Sequence, residues 1–84
     1  MSNESMFEEL QTILSEQGIE IKYGRGYFEG GVCRYKDSKY FYLNRAQDIE
    51  NHVLLMVSEV KKMNIENLKC SPDLENLLQS IESN

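Results

Sequence analysis

Cys33, His52 and Cys70 are the side chains of this sequence with the chemistry of nucleophiles or soft metal ligands, and each stands far from the others along the chain. A zinc site asks for three or four convergent ligands, commonly Cys or His at close spacing. The spacing here predicts buried structural thiols instead, and a partly exposed histidine at the polar edge of a helix. Nucleophilic catalysis needs a base at a predictable distance, and neither cysteine has one. The serines gather at helix caps and chain ends, where they serve the backbone. Glu8 and Glu9 are adjacent carboxylates expected on the outer, solvated face of the first helix. The expectation is a protein that is not an enzyme, with no catalytic residue, no metal and no cofactor.

The glycines of "YGRGYFEGG" (23–31) suggest a phosphate cradle, but that device needs a glycine-rich turn leading into a helix, and here a strand follows. A tight turn at Gly24-Arg25-Gly26 and a bulge at Gly30-Gly31 fit the pattern better. The same region carries the chain's strongest binding signal. Lys22 to Arg45 holds seven of the eight aromatic residues and six of the nine Lys and Arg. Its six cations face two carboxylates, a local charge of +4, which leaves −9 for the remainder of a chain with net charge −5. A basic, aromatic centre flanked by acidic helices can attract an anion locally while the whole molecule repels it.

These residues need elements to hold them. Ser5 and Glu8 have the spacing of a capping box that starts a helix over 5–17, ended by Gly18. From Ile19 the apolar period changes from 3.6 to 2, giving a strand that ends at the Gly24-Gly26 turn. A second strand is expected from about 27 to 36 and a third from 39 to 44, the three forming an antiparallel meander. A two-residue turn at Asp37-Ser38 then pairs Tyr35 with Tyr40 and Cys33 with Tyr42, and Val32 with Leu43 on the reverse face. Cys33, Tyr35, Tyr40 and Tyr42 therefore share one face, and Val32, Phe41 and Leu43 share the one expected to meet the helices. Arg34, Lys36 and Lys39 gather toward the hairpin tip. A helix over 47–63 shows a core stripe of Ile49, Val53, Met56, Val57, Val60 and Met63, with Leu54 and Leu55 off it. Ser71 as cap, Pro72 at the first helical position and the stripe Leu74, Leu77, Leu78 and Ile81 mark a last helix.

The fold class expected is α+β, in the order α-β-β-β-α-α, with the helices on one sheet face. Eighty-four residues suit a single domain with a core over about 5–82 and frayed ends. With 40% hydrophobic and 27% charged residues the chain has a globular composition. Two cysteines are too few for a disulfide framework, and the N-terminus lacks the order of a signal peptide. The longest apolar run, Val53 to Val57, is far short of a bilayer span. A cytoplasmic protein with no membrane association is expected.

At "FEGGVCRYKDSKYFYLNR", continued by "KKMNIENLKCSPDLENLL", the chain resembles small bacterial proteins of unknown function. They share a Gly-Gly-x-Cys-Arg strand, a strand ending in Leu-Asn, a long helix and a Pro-led final helix. The resemblance implies a free-standing bacterial cytoplasmic protein and no particular activity. In architecture, strands ending in "YLN" before a helix that carries a histidine are similar to the core of zinc metallopeptidases, whose helix bears His-Glu-x-x-His. The matching stretch is His52-Val53-Leu54-Leu55-Met56, where Val53 replaces the general base and Met56 the second ligand. That likeness implies a scaffold without metal or catalysis.

Three functions follow as expectations. The first is non-catalytic binding of a protein partner, or self-association as a homodimer, through the aromatic sheet face or the long helix. The candidate surface is Tyr35, Tyr40, Tyr42, Lys36, Lys39, Arg25, Leu54 and Leu55. The alternative is single-stranded nucleic-acid binding by segment 22–45, with bases stacked on tyrosines and phosphates met by Lys and Arg. The third is an enzyme of unknown type, or a catalytically dead metallopeptidase-like scaffold.

Overall fold

The structure is a computed structural model and describes residues 2–26, 30–66 and 68–81. Its elements run α1 (Asn3–Glu16), β1 (Ile19–Gly24), β2 (Gly31–Tyr35), β3 (Ser38–Asn44), α2 (Ile49–Met63) and α3 (Pro72–Ser80). The α+β class and the element order agree with the sequence reading. The first part of the expected second strand, residues 27–29, lies outside the described residues.

The sheet is not an antiparallel meander. Its order is β1-β3-β2, with β1 parallel to β3 and β2 antiparallel to it. The apolar content of the strands explains the arrangement. β3 contributes Phe41 and Leu43 to the core, at 1% and 0% exposure, whereas β2 buries no residue at all. The strand with most to bury takes the centre, where both of its edges are also paired. Burial on this scale outweighs the tendency of consecutive strands to lie side by side.

The hairpin turn lies at Lys36-Asp37 rather than at Asp37-Ser38, so Cys33 pairs with Tyr40, Val32 with Phe41 and Tyr35 with Ser38. The expected pairs Tyr35 with Tyr40 and Cys33 with Tyr42 are thus offset by two residues. Because side chains alternate with period two, a slip of two leaves every residue on its expected face. Lys36 takes φ 55° as the first of the two turn residues. A positive φ at this place belongs to the mirror-image turns that match strand twist.

One core joins Leu10, Ile13 and Leu14 of α1, Ile19 of β1, Phe41 and Leu43 of β3, Val53, Met56, Val57 and Val60 of α2, and Leu74 of α3. The sheet residues among them share a single face by register. Val32, expected in this core, is 39% exposed on β2, an edge strand whose helix side is less covered than that of β1, where Ile19 is 3% exposed. Helix α1 begins two residues before the expected capping box: Ser2 is the cap, accepting from the Ser5 N–H at 3.2 Å, and Ser5 lies inside the helix. Gly18 adopts φ 79° beyond its end, as expected. Helix α2 starts at Ile49 rather than 47, after Asp48. Ser71 caps α3 by accepting from the Leu74 N–H at 3.2 Å.

Glu9 corrects a further expectation. It is not a solvated outer-face carboxylate: its Oε2 accepts from the Ser71 N–H at 2.6 Å and its Oε1 from the Ser71 hydroxyl at 2.8 Å. One carboxylate thereby ties α1 to the start of α3, 62 positions away. Among the described residues no helix is long and apolar enough to cross a membrane.

Candidate functional site

The alternation of β3 divides its residues between two environments. Phe41 and Leu43 point into the core, and Tyr40 and Tyr42 point out of the opposite face, half-buried. On that outer face β1 contributes Glu20 and Lys22, which pair with Tyr40 and Tyr42, and β2 contributes Cys33 and Tyr35. Lys22, Cys33, Tyr35, Tyr40 and Tyr42 line an open basin there, with Arg34 joining from the outer strand.

The rings are held in a charged setting. Tyr40 and Tyr42 lie 6.4 Å apart between centroids, tilted by 60°. The Lys22 ammonium sits 5.6 Å from the Tyr40 centroid, within the range of a cation-π attraction, and 3.4 Å from the Glu20 carboxylate. At the hairpin tip the Lys36 ammonium lies 5.5 Å from the centroid of Tyr35, which is 65% exposed. The face thus offers aromatic area for packing, phenolic hydroxyls for hydrogen bonding and charges of both signs.

The predicted surface residues do not all come together. Tyr35, Tyr40, Tyr42 and Lys36 share the outer face or its rim. Lys39 pairs with Ile19 and Arg34 on the reverse, helix-side face. Arg25 follows Gly24, which pairs with Asn44, and so stands at the opposite end of the sheet from the hairpin tip. Leu54 is exposed on α2, and half-buried Leu55 packs toward Gly30. With Gln47, Asn51 and Ser58 these leucines line a separate cleft, in which Gln47 Oε1 has no hydrogen-bond partner among the described residues.

The sequence did not reveal a polar junction at the end of β3. Asn44 is 5% exposed, donates from Nδ2 to the Gly26 carbonyl at 2.8 Å and accepts at Oδ1 from the Ala46 N–H at 3.0 Å. His52, expected partly exposed, is 8% exposed, with Nε2 2.8 Å from the Asn44 carbonyl oxygen. A carbonyl can only accept, so Nε2 carries the proton and donates. The Phe7 and Tyr23 rings flank the imidazole at 6.4 and 6.3 Å, and the Arg45 guanidinium lies 5.2 Å from the Tyr23 centroid. This junction fastens the loop after β1, the end of β3 and the first turn of α2. The sequence signal was the asparagine closing "YLN" eight residues before the only histidine.

The cysteines occupy different surroundings. Cys33 is exposed on the outer sheet face. Cys70 is half-buried, and burial, assisted by the nearby Glu9 and Glu75 carboxylates, pushes its thiol above the ordinary range and keeps it protonated. Among the described residues no three His, Cys, Asp or Glu stand close enough to hold a metal ion. Comparison with protein-family models, with curated proteins and with solved structures finds no match to this chain.

Proposed function

We propose that the protein is a non-catalytic binding domain that receives a protein partner on the outer face of its sheet. The observation that carries this reading is the placement of Tyr40 and Tyr42 on the most deeply anchored strand while the helices bury the other face. Phe41 and Leu43 fix the β3 backbone, so the two tyrosines present large area with little conformational freedom left to lose on binding. Rigid tyrosines of this kind are favoured at protein interfaces, where the ring packs and the hydroxyl finds a partner.

Single-stranded nucleic acid is the second reading, supported by Lys22 over Tyr40 and Lys36 over Tyr35. A base stacking on Tyr40 would displace the Lys22 ammonium and release it to meet a phosphate. Glu20 weighs against this, since its carboxylate accompanies Lys22 on the same face and repels a phosphate chain.

The test compares the wild type with a Tyr40→Ser, Tyr42→Ser double variant in capture of protein partners. The variant should keep the fold and lose at least tenfold in partner affinity. Undiminished capture by the folded variant overturns the reading. Titration of the labelled protein with mixed single-stranded RNA and DNA at two salt concentrations separates the readings. Shifts on the outer face that fade with salt would favour nucleic acid.

A further inference from the structure

We infer that β2 is a self-complementary edge that pairs antiparallel with β2 of a second copy, giving a six-stranded sheet on which the two tyrosine faces run together. The hydrogen-bonding groups of β2 divide between its two edges. Tyr35 and Ser38 close the two-residue turn and form a hydrogen-bonded pair, so by alternation Cys33 and Gly31 also spend their N–H and C=O groups on β3. Those of Val32 and Arg34 point the other way, to an edge on which no further strand pairs among the described residues.

An antiparallel partner must hydrogen-bond to these two residues. The two-fold axis that uses both passes through Cys33, placing Val32 opposite Arg34 of the other copy, Cys33 opposite Cys33, and Gly31 opposite Tyr35. Each pairing is favourable. The arginine stem covers Val32, which is 39% exposed, and the tyrosine ring lies over a residue with no side chain. No like charges stand directly opposite. The hairpin tips go to opposite ends of the strand pair, and the two Lys36 ammonium groups with them, six residues apart along it. They are then about 20 Å apart at roughly 3.4 Å per residue, beyond the screening length of about 8 Å.

Within β2 itself little opposes pairing. β2 contains no proline, and Arg34 is its one charged residue. Helix α2 packs against β2 and exposes Leu54 at 44%, adding apolar surface on the helix side. Five paired residues bury less than the roughly 800 Å² per partner of a standard interface, so the dimer is weak and depends on concentration. Pairing brings Cys33 and Tyr35 of the second copy onto the same outer face, which enlarges it. The inference does not rest on the identity of the ligand, because self-association is measured without one.

The test uses a Cys70→Ser chain, leaving Cys33 as its only thiol. Sedimentation should show a dimer forming as the concentration approaches about 1 mM. Diamide, an oxidant that takes up the two hydrogens as the disulfide forms, should link Cys33 to Cys33 much faster in the native protein than in urea. Val32→Lys, which sets Lys against Arg34, should weaken dimerisation at least tenfold. Val32→Glu, which sets a carboxylate there, should tighten it several-fold. Both substitutions fall at an exposed side chain, and circular dichroism checks that each variant folds. Three results overturn the proposal: a monomer at every concentration, crosslinking no faster than in urea, or the same response to both substitutions. A monomer would leave the edge to a strand from another protein.

Discussion

Phe41 and Tyr42 are neighbours on β3 and live in different solvents. Phe41 is 1% exposed among residues of all three helices, while Tyr42 lies half-buried on a face that carries Lys22 and Glu20. The same backbone serves both, so the difference between them is one of side-chain surroundings alone. One face is spent on stability, and the other is the surface proposed for recognition.

Truncating each ring in turn tests this difference. Phe41→Ala should cost about 4 kcal/mol in urea unfolding, enough to threaten a small domain, and Tyr42→Ala about 1 kcal/mol. Equal losses would mean that the outer face is also core. A smaller effect is expected at Gly30, where φ is 101° and an added Cβ would stand 2.6 Å from the Tyr42 carbonyl oxygen. Gly30→Ala should cost about 3 kcal/mol through overpacking and backbone strain. Its amide shifts should move at Tyr42 more than at Phe7. The smallest change has the opposite sign: Lys36→Gly relieves the positive φ and should stabilise by about 1 kcal/mol in the same assay. An unchanged or lowered midpoint would count against the turn at Lys36-Asp37.

Periodicity made the elements legible, because a change from 3.6 to 2 at Ile19 and a Ser-Pro pair before α3 each have a single physical meaning. The two faces of β3 were legible for the same reason and survived a two-residue error in register. The central position of β3 was not, since strand order depends on the relative burial of whole strands, and local pattern carries little of that. The partners of Glu9 and His52 escaped detection because each acts on backbone groups remote in sequence or beyond the helix that carries it. Sequence spacing registers partners on one element, and these contacts join two. The tyrosines of the candidate surface were found together, and Lys39 and Arg25 were separated from them by a face and by the length of the sheet.

The place of β3 between β1 and β2 also sets an order of events in time. The β2-β3 hairpin closes over a two-residue turn and can form locally within microseconds. The β1-β3 pair cannot, because β1 has no partner until the chain has been made through Asn44, the end of β3. On a ribosome β1 therefore emerges well before β3, with Ile19 and Ile21 unpaired, and the parallel pairing closes a larger loop at greater entropic cost. The larger loop predicts that the α1-β1 unit joins late, captured by a hairpin already made.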